Sequence, residues 1–216
     1  MRPNIIRSIG PCFLLCALLG GTGALTSASP VFGPNVAGAC CPNPFYKPHH
    51  ELLRPLADLL AKGEGDYDSV NRGRAGDTMQ GLAGLTGKAA KDTTVEEILE
   101  LQRWRIYAVG RYQFIPKTLA WAVRVSNVKL TDKFDATTQD KLLATLVLYK
   151  RPAIGAYLRG DHDNLDWALD ELAREWASVE YRHGRGYYDH IGGNRAHVTR
   201  AAAADVLRNV KSYWQN

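Results

Sequence analysis

Cysteine is scarce in this 216-residue sequence, and its placement excludes a disulfide framework. Of the four cysteines, Cys12 and Cys16 lie in an N-terminal apolar run, while Cys40 and Cys41 are adjacent. Neighbouring cysteines cannot staple distant parts of a fold, which leaves a strained vicinal disulfide, an intermolecular bond or two idle thiols. A zinc site built from this pair with His49 and His50 is disfavoured, because adjacent ligands are geometrically awkward and no second paired motif completes the set. No metal is expected. A lipoprotein role for Cys40, after Ala37-Gly38-Ala39, is weak because it lies too far past the apolar run.

Other absences narrow the field further. No His-Glu-x-x-His, Gly-x-Ser-x-Gly or Cys-x-x-Cys occurs, which removes the sequence warrant for a metalloprotease, a serine hydrolase or a thioredoxin. The segment Gly84-Leu85-Thr86-Gly87-Lys88-Ala89 fails as a phosphate loop: Leu82 stands where the first Gly belongs, and Ala89 has no hydroxyl for magnesium. The net charge of +5 is small and evenly spread, so no nucleic-acid footprint exists. The one long apolar run, Cys12 to Leu25, holds 14 residues and is broken by Gly20, Gly21 and Gly23. A spanning helix needs about 20 apolar residues.

What is present at the N-terminus suits export. Arg2 and Arg7 precede the apolar run, and Thr26-Ser27-Ala28 offers small residues for cleavage, so residues 1–28 read as a signal peptide with a mature start near Ser29. A secreted or periplasmic protein without stable membrane insertion is expected. Residues 29–48 hold five prolines, the mark of an extended leader. Residues 49–216 are expected to form one catalytic domain.

Within that domain the periodicity is mostly helical. Leu52, Leu53, Leu56, Leu59 and Leu60 fall on one helical face, with Pro55 tolerable in the first turn. Residues 66–93 are glycine-rich with little periodicity and read as loops or a small hairpin. Thr94 and Glu97 form a capping box ahead of Ile98, Leu99 and Leu101. Pro116 suits the first position of a helix, and Asp135 suits the cap of another that runs to Arg151. Leu165, Ala168, Leu169, Leu172 and Trp176 make the cleanest stripe. Residues 180–195 read as a polar connection, and a last helix is predicted over about 196–214. The fold class is α+β, predominantly α-helical, and the expected state is a monomer.

Glu64 is the first candidate for chemistry, because it stands where a leucine-faced helix ends and a glycine-rich segment begins. The negative end of the helix dipole disfavours a carboxylate there and holds a proton ready to donate, as a general acid for glycoside cleavage requires. A solvated helix terminus would carry the same residue. The second candidate is Ala108-Val109-Gly110-Arg111-Tyr112-Gln113-Phe114-Ile115-Pro116, in which Tyr112 supplies a stacking face and Gln113 an amide suited to sugar hydroxyl and acetamido groups. The third is Trp176-Ala177-Ser178, whose tryptophan by itself suits a core better than a sugar platform.

In this order the segments resemble the lambda-type phage endolysins, lytic transglycosylases of glycoside hydrolase family 104, over roughly residues 50–190. Leu60-Ala61-Lys62-Gly63-Glu64-Gly65 is similar to the family's catalytic-glutamate segment, and Gly110-Arg111-Tyr112-Gln113 to its Gly-Arg-Tyr-Gln signature. Phe134-Asp135-Ala136-Thr137-Thr138-Gln139-Asp140 is similar to its Ser-x-x-x-Gln-Asp helix start, and Leu158-Arg159-Gly160-Asp161 with Trp176-Ala177-Ser178 completes the set. Gln113-x-x-Pro116-x-Thr118 also resembles an element of soluble lytic transglycosylases, with Tyr112 in place of their Met. The T4-type lysozymes carry an Asp and a Thr where this chain has Gly73 and Met79, which argues against their inverting arrangement. Gly65 replaces the Ser that follows the acid in soluble transglycosylases, so that hydrogen bond is missing.

The resemblance implies a lysozyme-like fold, a helical lobe facing a small irregular or hairpin lobe in 66–93. It implies cleavage of the β-1,4 bond between N-acetylmuramic acid and N-acetylglucosamine in peptidoglycan glycan strands. Glu64 would act as acid and then base, giving 1,6-anhydro ends with no cofactor. Arg111, Tyr112, Gln113, Trp176 and Ser178 would contact substrate. True hydrolysis is the nearest alternative and needs a second carboxylate, for which Asp66, Asp68 and Asp77 are the candidates. A secreted wall-binding protein without activity is the alternative from another class.

Overall fold

A computed structural model describes residues 48–191 and 194–215. The signal segment, the proline-rich leader and the Cys40–Cys41 pair lie outside the described residues. The described chain is predominantly helical with small antiparallel pairings. No helix among the described residues is long and apolar enough to cross a membrane.

A single turn, α1 (His49–Leu52), leads into α2 (Arg54–Glu64), with Pro55 in its first turn where the missing N–H costs nothing. Leu56, Leu59 and Leu60 are buried along one face of α2, each contributing roughly 1.5–3 kcal/mol. That face rests on the last helix, so the end of α2, where Glu64 lies, is set by the core.

The glycine-rich segment after α2 is more ordered than its composition suggests. Strand β1 (Val70–Asn71) turns back through Asp77, and α3 (Gly81–Thr86) follows. Asp68 makes this possible: its carboxylate accepts from the N–H groups of Ala83 (3.1 Å) and Ala90 (2.6 Å), both in the segment it folds. The small hairpin expected within 66–93 is present as one antiparallel bridge, Asn71 with Asp77, where the Thr78 N–H donates to the Val70 carbonyl at 3.0 Å, and β1 also pairs with β2 (Ala108–Val109) beyond α3 and a further helix. That helix, α4 (Val95–Trp104), starts on the capping box of Thr94 and Glu97.

The remaining helices supply most of the core. Helix α5 (Pro116–Val125) begins on its proline, and α6 (Ala136–Thr145) is capped by Asp135, whose side chain accepts from the Thr138 N–H. A π-helical turn over Leu146–Lys150 carries α6 up to Pro152, which cannot donate and so opens α7 (Pro152–Arg159) instead. The stripe of α8 (Leu165–Glu175) is buried at Ala168, Leu169 and Leu172. The predicted connection 180–195 contains a short hairpin, β3 (Glu180–Arg182) with β4 (Arg185–Gly186). The final helix, α9 (Arg200–Trp214), begins later than predicted, where Thr199 accepts from the Ala202 N–H, and it packs on α2, α7 and α8.

Candidate active site

Glu64 ends α2 beside a cleft of about 330 Å³ lined by Glu64, Asp66, Asp68, Ser69, Asp77 and Gln113, among others. Burial raises the pKa of its carboxyl above the ordinary carboxylate value. This first cause outweighs the lowering by the Ser178 side chain, the Ser178 N–H and the charge of His197. The Ser178 N–H donates to Glu64 Oε1 at 3.3 Å. The Ser178 hydroxyl lies near enough to influence the carboxyl but is not aligned into a hydrogen bond with any group. The donor that sequence comparison found missing after Glu64 therefore comes from a segment 114 residues later.

The candidate second carboxylates all line this cleft, in different states. Asp68 is engaged by the Ala83 and Ala90 N–H groups and serves the backbone. One Asp66 oxygen accepts from the Asp68 N–H (2.9 Å) and the Ser69 hydroxyl (3.0 Å), closing the turn after Glu64. Asp77 is exposed and takes a single bond, from Asn71 Nδ2 at 2.7 Å.

Gln113 is the one expected substrate contact besides Ser178 that reaches the region of Glu64. It lines the cleft and sits at φ +47°, a left-handed conformation that a non-glycine residue seldom adopts. Its side chain donates to the Gly110 carbonyl at 3.0 Å. Gly110 has φ +78°, and the Gln139 side chain occupies the space where a Cβ would project. The Gly-Arg-Tyr-Gln turn is thus a backbone device that aims Gln113.

Three expected contacts lie away from the cleft. Tyr112 is 2% exposed and presents no stacking face; its hydroxyl donates to the buried Asp140, and burial, then this bond, pushes its pKa upward. Trp176, 3% exposed, closes the core past the end of α8. Both edge a smaller cavity of about 130 Å³ that shares Gln113 with the cleft, but neither ring faces solvent. Arg111 lines neither cavity; it pairs with Asp58 at 2.7 Å, donates to the Tyr67 hydroxyl at 3.0 Å and lies over the Tyr67 ring.

These residues belong to a polar network behind the cleft that single-residue reasoning missed. Asp140 accepts from Tyr112, from Tyr67 (3.0 Å) and from Arg54 (2.7 Å). Gln139 donates to the carbonyls of Tyr67 and Phe134 and accepts from the Arg111 N–H, all at 2.9 Å. The Gln139-Asp140 pair therefore ties the segment after Glu64 and the Gly-Arg-Tyr-Gln turn to α6. Its signal was present as a motif, but not its role. His197 had no signal at all; its N–H donates to the Ser178 carbonyl at 2.7 Å.

Among the described residues no group of three or more His, Cys, Asp or Glu side chains is placed to hold a metal ion. Comparison with protein-family models, curated proteins and solved structures finds no match to this chain.

Proposed function

We propose that the protein is a peptidoglycan-cleaving lytic transglycosylase with a lysozyme-like arrangement, its helical lobe set against the lobe built on β1, β2 and α3. The observation that carries the reading is Glu64: a carboxyl that burial keeps protonated to higher pH, facing an open cleft lined with carboxylate, hydroxyl and amide groups. Such a group still holds a proton for a leaving oxygen at pH values where an ordinary exposed carboxyl has lost its own.

In this reading the glycan lies along the cleft, and Glu64 protonates the glycosidic oxygen as the C1–O bond breaks. The muramoyl C6 oxygen then bonds to C1, and its proton passes to the Glu64 carboxylate. The acid is regenerated, no water is consumed, and one carboxyl completes the cycle. Gln113 would hold the sugar through its amide. Export through the N-terminal segment would bring the enzyme to the wall.

Hydrolysis is the second reading, supported by the exposed Asp77 on the same cleft. Mass spectrometry of muropeptides from purified peptidoglycan separates the two: ring closure leaves termini about 18 Da lighter than water addition does. Anhydro ends are expected. Reducing muramic ends as the main product would overturn the transglycosylase assignment, and an uncleaved wall would overturn both.

A further inference from the structure

We propose that Ser178 is a positioning residue for Glu64, with a hydroxyl held ready for the carboxylate that remains once the proton has left; this rests on the glycosidase reading above. Ser178 is 4% exposed, and its buried hydroxyl is not aligned into a hydrogen bond, although it lies close enough to Glu64 to lower the pKa of that carboxyl. A buried hydroxyl left unaligned is costly, and a catalytic role is one reason for a native structure to keep such a group. The neighbouring group that changes state is Glu64, already bonded to the N–H of the same serine.

The backbone around Ser178 is held on both sides. Its carbonyl accepts from the His197 N–H at 2.7 Å and the Val198 N–H at 2.9 Å, and Val179 bridges to Val198 beside it. Against its other face lies Gly63, where an added methyl would overlap the Ser178 side chain. With the backbone held in this way, the hydroxyl can turn toward Glu64 without the chain moving.

The chemistry asks for such a group. A lone carboxyl that serves as acid and then base passes through its anionic form, which burial disfavours. A fixed N–H and a rotatable O–H from one residue stabilise that anion when it appears, without moving the backbone. The other charged groups near Glu64 are His197 and the cleft aspartates Asp66, Asp68 and Asp77, which substitution of Ser178 leaves in place.

The test is a ¹³C NMR titration of the Glu64 carboxyl in wild type and Ser178→Ala, run beside the pH profile of kcat/KM on purified peptidoglycan. In Ser178→Ala the carboxyl is expected to titrate about one pH unit higher, with the alkaline limb moving alongside it. The plateau of kcat is expected to fall about tenfold. Ser178→Cys, similar in volume but a weaker donor, is expected to fall between, and it decides the matter if the alanine variant does not fold. An unchanged titration and an unchanged limb would overturn the proposal, as would a titration shift that the limb does not follow. If the wild type cleaves no wall, the glycosidase reading fails, and the titration alone still decides whether Ser178 supports the Glu64 carboxylate.

Discussion

The hydroxyl of Tyr112 donates to the carboxylate of Asp140, a buried partner 28 residues further along the chain. A residue that the motif places at the substrate face is thereby committed to the interior. Tyr112→Phe removes one donor while Tyr67 and Arg54 still reach Asp140. We expect a loss of about 1–3 kcal/mol in urea unfolding, with the specific activity of the folded protein unchanged. Lost turnover at full stability would return Tyr112 to substrate binding.

Glu64→Gln keeps the size of the side chain and its bond from the Ser178 N–H, but it removes the titrating proton. Wall-clearing activity is expected to fall at least about a hundredfold with the circular dichroism spectrum retained. Near-normal clearing would remove Glu64 from the chemistry.

The raised pKa of Glu64 also sets a sign for stability. The folded state holds this proton more tightly than the unfolded chain, whose carboxyl titrates near 4.5, so ionisation works against the fold. The penalty is absent below that value and grows as pH rises through the folded pKa. Glu64→Gln should therefore melt at a higher temperature than wild type at pH 7, with the difference vanishing at pH 4. A variant less stable than wild type at pH 7 would contradict the burial argument. In wild type, kcat/KM should fall on the alkaline side, above the ordinary carboxyl range.

Gln113 carries both a backbone and a side-chain role, and two substitutions separate them. Gln113→Gly relieves the positive φ and should stabilise by up to about 1 kcal/mol, whereas Gln113→Ala keeps the strained backbone. Both remove the amide, so both should lower kcat/KM, by about tenfold for one or two substrate hydrogen bonds. Unchanged kinetics in both would place Gln113 outside the substrate site.

The cleft aspartates differ in what they already hold. Asp68→Asn loses charge-assisted bonds to the Ala83 and Ala90 N–H groups and should destabilise by about 1–3 kcal/mol. Asp77→Asn keeps the bond from Asn71 in kind and should stay folded with activity within a few-fold of wild type. Activity lost as completely as in Glu64→Gln would favour the hydrolytic reading.

How much of this was legible from residues alone depended on the range of the interaction involved. The capping box at Thr94, the Asp135 cap, the proline starts of α2 and α5 and the stripe of α8 are contained within a few residues each, and the structure contains all of them. Helix α3 escaped notice because Gly81, Gly84 and Gly87 carry no periodicity, and its first turn is held by a carboxylate outside it, Asp68. Strand β1 finds a partner far outside its own segment, since α3 and α4 both separate it from β2.

The same division runs through the candidate site. By itself the sequence determined that a carboxylate ends a leucine-faced helix and that a glycine turn precedes a proline-started one, since spacing and backbone preference are local properties. Only the tertiary structure decided that Gln113 reaches the cleft while Tyr112, Arg111 and Trp176 do not, because burial and pairing depend on what α6 and α8 bring up behind them. The helix end predicts a raised pKa for Glu64; in the structure its first cause is burial, at a carboxyl that also accepts from the Ser178 N–H, 114 residues further along the chain. Desolvation is a property of the packed volume around a group, and no local pattern encodes it.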